Sequence, residues 1–120
     1  MARGRSSFKM GTVELIVLFL LEKSDLYGYQ LTTLIETLSD GKVVITESSL
    51  YPTLYKLKNN NFITDIEVPI GKRRVRVYYH LEEAGRKRLA DLLEDYETNR
   101  IGTDLILACK KLPEEYYAEN

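Results

Sequence analysis

From Val13 to Leu21 the chain reads Val-Glu-Leu-Ile-Val-Leu-Phe-Leu-Leu, with a single polar residue in the run. This predicts a helix over about Thr12 to Glu22 that has no polar stripe to turn toward water, so it must be covered on two sides. Either a partner subunit supplies the second cover or the helix is central to the fold. Leu31, Leu34, Ile35 and Leu38 recur at helical spacing and predict a second helix over Tyr29 to Ser39, stopped by Asp40-Gly41. Val43-Val44-Ile45 reads as a short β-branched strand. A third helix is expected over Glu47 to Asn60, capped by Thr46 or Ser48. Leu50, Leu54 and Leu57 form its apolar stripe, while Ser48, Ser49, Pro52, Tyr55, Lys56 and Asn59 collect on the opposite face. A proline is at ease only in a first turn, so the helix is expected to start near Ser48 or Ser49. Asn61 can take the left-handed backbone that ends it.

Two runs rich in β-formers follow, Phe62 to Val68 and Val75 to Leu81, on either side of Gly71-Lys72-Arg73-Arg74. They predict a hairpin with a basic tip, and Pro69 suits its edge. From about Glu83 to Leu112 the pattern is helical again. Leu89, Leu92, Leu93 and Tyr96 share one face; Ile101, Leu105 and Ala108 form a stripe rotated away from it, with Gly102 near the change. A kink at Gly102 and a straight helix meeting different neighbours both fit. Pro113 ends the helix before an acidic tail. The predicted fold class is mostly α with some β: a winged helix-turn-helix with a basic hairpin wing and a C-terminal dimerisation helix. The division is a flexible basic arm (1–10), a winged helix-turn-helix (11–81) and a dimerisation helix with tail (82–120).

The 120 residues are 44% hydrophobic and 29% charged, the balance of one ordinary folded domain. The apolar run is far short of the roughly 18 residues a membrane span needs, no signal peptide is read, and a lone Cys109 forms no internal disulfide. A cytoplasmic location and no membrane association are expected. The net charge of −1 hides a division. Residues 1–81 carry 11 basic and 8 acidic side chains, net +3; residues 82–120 carry 6 and 10, net −4. Arg3, Arg5 and Lys9 cluster at the start, and Lys72, Arg73, Arg74 and Arg76 cluster on the hairpin. A local positive face is what phosphate binding requires.

Helix-turn-helix proteins lay the second helix of the pair in the major groove, N-terminal residues toward the bases. Here that assigns Ser48, Ser49, Tyr51 and Pro52, backed by Tyr55 and Lys56, to DNA, with Lys72, Arg73, Arg74 and Arg76 on phosphates or in a minor groove. His80 has no evident acid–base partner and reads as packing, as does Cys109 on the last helix. No catalytic residue, metal site or cofactor is expected.

Three segments resemble one family. Leu26-Tyr27-Gly28-Tyr29-Gln30-Leu31 is similar to its HGYEL motif. Ser49-Leu50-Tyr51-Pro52-Thr53-Leu54-Tyr55-Lys56-Leu57 is similar to TLYPALRRLE, and Arg76-Val77-Tyr78-Tyr79-His80-Leu81 with Ala84-Gly85 to RKYYRLTEAG. In this order and spacing they mark the PadR-like transcriptional regulators, over about Thr12 to Leu93. Departures are Ser48-Ser49 for Gly-Thr, Asn61 for glycine after the third helix, and Glu82 for the threonine that caps the last. The single helix after the wing resembles the short-tailed members, which implies a homodimer packing each last helix on the partner's first. Leu15, Leu18, Phe19, Ile101 and Leu105 are then the expected interface. The resemblance also implies a pore between subunits for a planar hydrophobic effector, lined by Tyr96 with Leu89, Leu92, Leu93 and Arg100; the same residues can equally just fill the dimer core. The function implied is a homodimeric repressor on a palindromic double-stranded operator, released by a small molecule. A winged-helix module that binds protein and not DNA is the alternative.

Overall fold

The computed structural model describes residues 2–118, and side chains over residues 12–118. Helix α1 spans Ala2–Lys23, followed by strand β1 Leu26–Tyr27, helix α2 Gly28–Leu38 and helix α3 Glu47–Asn59. The hairpin is β2 Ile63–Pro69 with β3 Val75–Leu81, and helix α4 Glu83–Leu107 precedes a short 3-10 turn at Glu114–Tyr116. The three strands form one antiparallel sheet in the order β1-β3-β2. This is the predicted winged helix-turn-helix, with α4 running on from the wing.

Helix α1 is the shaft of the core. Val13, Val17, Leu18, Leu20 and Leu21 are buried against Leu31 and Ile35 of α2, Leu50, Leu54 and Leu57 of α3, Leu81 of β3 and Leu89 of α4. The chain's own elements therefore supply most of the cover this helix demands. Leu18, expected at a subunit interface, is 0% exposed in the single protomer and belongs to its core. Leu15 is half-buried and Phe19 exposed, on the face that α2 and α4 leave open. Helix α1 also begins well before Thr12: Ala2, Arg3, Arg5, Lys9 and Met10 favour helix, and no proline interrupts them. The side chains of the basic cluster Arg3, Arg5 and Lys9 lie outside the described residues.

Both helix ends of the helix-turn-helix use a left-handed residue. At α2 the N–H of Gly41 donates to Glu36 O at 2.8 Å and that of Asp40 to Thr37 O at 3.2 Å, with Asp40 at φ 55°. At α3 the N–H of Phe62 donates to Leu57 O and that of Asn61 to Lys58 O, both at 3.0 Å, with Asn61 at φ 63°. These pairs satisfy carbonyls a helix end otherwise leaves open, and Asn61 does the work expected of glycine.

The strand expected at Val43-Val44-Ile45 is absent. The Ser39 hydroxyl accepts from Val43 N–H at 2.9 Å and donates to Val43 O at 3.3 Å, taking both groups a ladder would use. The third strand is instead β1, pairing Leu26 with Tyr79 and Tyr27 with Tyr78. Helix α4 is unbroken past Gly102 and ends at Leu107, short of Leu112. Pro113 disfavours helix at the residue before it, and residues 103–112 are exposed. Cys109 is accordingly not core: it lies exposed beyond α4, its thiol 3.2 Å from Lys111 O. Among the described residues no helix is long and apolar enough to cross a membrane, and no group of side chains could hold a metal ion.

Glu82 starts α4 without capping it through its side chain, which accepts from the Thr64 hydroxyl at 2.8 Å. Close approach holds this corner. A Cβ on Gly85 would collide with the Phe62 carbonyl oxygen and sit 2.6 Å from Leu81 Cδ1. Gly85→Ala is expected to lose about 1–3 kcal/mol by overpacking. Thr46→Ala, which removes the α3 cap, should lose about 1 kcal/mol. Urea unfolding measures both, and a wild-type midpoint for Gly85→Ala would contradict the contact.

Candidate nucleic-acid interface

The start of α3 is built on Thr46. Its hydroxyl accepts from Ser49 N–H at 3.2 Å, donates to Ser49 Oγ at 3.2 Å and lies 3.0 Å from Ser48 Oγ. The helix thus starts earlier than its proline suggests. Pro52 lies inside it, where it returns no hydrogen bond to the carbonyl of Ser48. The position is tolerated because both residues face water. Ser48, Ser49, Tyr51, Pro52, Tyr55 and Lys56 are all exposed and share one side, while Leu50, Thr53, Leu54 and Leu57 are buried. Tyr51 is also a wedge: its hydroxyl lies 2.6 Å from where a Cβ on Gly28 would be. That contact seats α3 on the first residue of α2, whose entry is fixed by Tyr27 N–H donating to Gln30 Oε1 at 3.1 Å.

The wing is the β2–β3 hairpin, paired from Ile63 with Leu81 to Pro69 with Val75. Its turn is closed by Ile70 N–H donating to Arg74 O at 2.9 Å, with Gly71 at φ 84°. Lys72, Arg73 and Arg74 are exposed at the tip, and among the described residues none has a carboxylate partner. Lys56 on α3 is in the same condition. Arg76 is not at the tip. Its guanidinium lies 4.2 Å from the centre of the Tyr27 ring, which itself meets Tyr78 edge-on at 5.2 Å. Tyr27, Gly28, Tyr29, Tyr51, Arg76 and Tyr79 line a cleft of about 260 Å³ where α2, α3 and β3 converge. The Tyr79 phenol is pushed above its ordinary value by burial, then by Tyr51 and Asp65, and stays protonated at neutral pH. Sequence reasoning named Thr46 as one of two candidate caps but missed its hold on both serines. It also missed Lys58, which is bound to Asp65 of β2 at 2.8 Å and ties α3 to the wing.

A family model matches residues 17–91, that of the Transcriptional regulator PadR-like family. The chain belongs to the PadR-like family of transcriptional regulators. Its members are regulators and not enzymes. The Escherichia coli (strain K12) transcriptional regulator YqjI is 32% identical over 95 residues, 79% of this chain but 44% of YqjI, so the chain spans less than half that relative's length. A transcriptional regulator from Clostridium thermocellum superposes with a TM-score of 0.72 at 29% identity, covering 84% of this chain and 95% of that one. Bacillus subtilis PadR, solved in complex with operator DNA, superposes with a TM-score of 0.64 at 29% identity, covering 68% of this chain and 47% of that one.

In this PadR-like chain the residues expected to line an effector pore are separated. Leu93 and Tyr96 line an apolar pocket of about 310 Å³ with Leu15, Ile16 and Phe19 of α1 and Leu38 of α2. Leu89 is 2% exposed in the protomer core, so it does not reach the pocket, and Leu92 packs on that core. Arg100 points elsewhere, holding Glu97 at 2.7 Å and Asp104 at 3.2 Å along the same helix. The Glu97 carboxyl lies below its ordinary range because Arg100 hydrogen-bonds its charged form. Ile101 and Leu105 are exposed further along α4. His80 has a partner that sequence reading did not find, Asp25, 2.8 Å from Nδ1; the two brace β3 against the α1–β1 connection.

Arg76 and the tip arginines should therefore respond differently to removal. Arg76→Gln loses the ring contact and is expected to lower stability by about 0.5–1 kcal/mol. Arg73→Gln and Arg74→Gln should stay within about 0.5 kcal/mol of wild type. Thermal unfolding of the three variants checks the distinction.

Proposed function

We propose that this chain is a sequence-specific DNA-binding repressor that acts as a homodimer on a palindromic operator. The observation that carries the reading is the coincidence of unpaired cations on the wing tip with a hydroxyl- and aromatic-bearing exposed face on α3. Among the described residues Lys72, Arg73 and Arg74 have no carboxylate to give up and so are available to phosphates. Ser48, Ser49, Tyr51, Pro52, Tyr55 and Lys56 form the face that a major groove would receive, with Arg76 behind the wing. The operator complex of Bacillus subtilis PadR supports carrying DNA binding to this relative. Such a regulator works in the cytoplasm.

The dimer follows from what one protomer leaves uncovered. Leu15 and Phe19 on α1 and Ile101 and Leu105 on α4 are partly or largely exposed, and Leu105 is 71% exposed. A second copy covers them by packing α4 on the partner's α1. The pocket bounded by Leu93 and Tyr96 supports a flat apolar effector that binds beside that interface and releases the operator.

Two measurements test the reading. Fluorescence anisotropy on a selected operator and on random duplex, at several salt concentrations, separates the two DNA-contacting parts. Arg73→Ala with Arg74→Ala should weaken all duplexes alike and lower the salt slope by up to about 1 per lost contact. Ser49→Ala or Tyr51→Ala should cost about 1–3 kcal/mol on the operator and little on random sequence. Salt-independent binding, or none, favours the protein-binding alternative. Sedimentation should give a dimer for the wild-type chain at micromolar concentration and a monomer for Phe19→Glu, which places a charge in the contact. Tyr96→Ala should weaken a planar hydrophobic dye while leaving the dimer intact.

A further inference from the structure

The end of α3, the start of α4 and the middle of α1 meet around Phe62. Its N–H donates to Leu57 O at the end of α3, and its carbonyl accepts from Glu82 N–H at the start of α4, both at 3.0 Å. Gly85 is pressed against the same carbonyl with no room for a side chain. One turn further, the Arg88 guanidinium lies 5.9 Å from the centre of the Phe62 ring. It also grips Glu14 of α1 with two prongs, Nε to Oε2 at 3.0 Å and Nη2 to Oε1 at 3.3 Å. Glu14 is 8% exposed, so its carboxylate is almost out of water in the middle of the apolar shaft.

The Glu14 carboxylate gives up most of its water while the Arg88 side chain stays 40% exposed, so the pair adds little net stability over apolar side chains of the same size. What it does supply is direction. A two-pronged guanidinium–carboxylate contact fixes both distance and rotation, which greasy packing between helices does not. Helix α4 makes that direction matter. Its 25 residues span about 37 Å at about 1.5 Å per residue, so a swing of about 10° at the base moves the far end by about 6 Å. That displacement is close to two base-pair steps at about 3.4 Å each.

We propose that the Glu14–Arg88 pair is a positioning element for operator reading: by fixing the angle at which α4 leaves the winged helix, it sets the separation of the two recognition helices and hence the half-site spacing the protein accepts. The inference rests on the dimer proposed above. Arg88 touches no base in this scheme and acts through α4.

The test uses full-length protein and the half-sites that the wild-type chain selects from a random duplex pool, re-spaced by one and two base pairs. Wild-type affinity should fall about tenfold or more away from the best spacing, whereas Arg88→Leu and Glu14→Met should vary by no more than about threefold across the set. Dimer mass, random-duplex affinity and salt slope should remain those of the wild type. Arg88→Lys, which keeps the charge but not the fork, should fall between. If Arg88→Leu does not fold, Glu14→Met, whose flexible apolar side chain suits the buried site, decides alone. Spacing profiles as sharp as the wild type in dimeric variants overturn the positioning role and leave the dimer reading standing. A reduced salt slope with weaker random-duplex binding also overturns it, because Arg88 then contacts phosphate directly. A wild-type chain that sediments as a monomer before any DNA is added overturns both.

Discussion

A helix with apolar side chains on almost every face has to be wrapped, and the rest of this chain is arranged as the wrapping of α1. Val17 and Leu18 are wholly buried, with α2, α3, β3 and α4 each contributing to the cover. The stripe of α3 that faces inward is committed to this task through Leu50, Leu54 and Leu57. Its polar side is thereby obliged to face out. The orientation of the DNA-facing surface is a by-product of burying the shaft. Leu15, Ile16 and Phe19 are the part of α1 left over, which is why the pocket on that face is apolar.

Counting charges describes the protein poorly; asking what each charge is doing describes it better. Arg88 and Lys58 join elements, to Glu14 and Asp65 respectively, and Arg100 staples two turns of α4. Arg76 rests on an aromatic ring. Among the described residues the cations at the wing tip have no such employment. A sequence count that treats Arg74 and Arg76 alike, because two positions separate them, merges a free group with a structural one.

Much of this was legible in the sequence where a local rule had no competitor. The Leu50, Leu54 and Leu57 stripe, the hairpin around Gly71 and the left-handed Asn61 follow from periodicity and turn chemistry alone. The failures share a cause: a side chain took over a backbone's role, or a partner distant in sequence decided. Ser39 removed Val43 from strand pairing, and the two-residue β1 is too short to leave a pattern. Leu18 looked like interface because the wrapping of α1 is spread over four later elements. The Asp25–His80 and Glu14–Arg88 pairs join residues 55 and 74 positions apart, which no periodicity announces. Leu89 and Arg100 sit near Tyr96 on a helical wheel, yet packing divides them between core and surface.

Pro52 carries a consequence for hydration. Without its N–H, Pro52 leaves the carbonyl of Ser48 on the exposed side of α3 without its usual helical donor. Any surface that seats itself there shuts this acceptor off from solvent. It must then offer a donor group in return or leave an acceptor dry, at a penalty of about 1–3 kcal/mol. A residue chosen for what it lacks thus imposes a chemical condition on whatever docks against this helix.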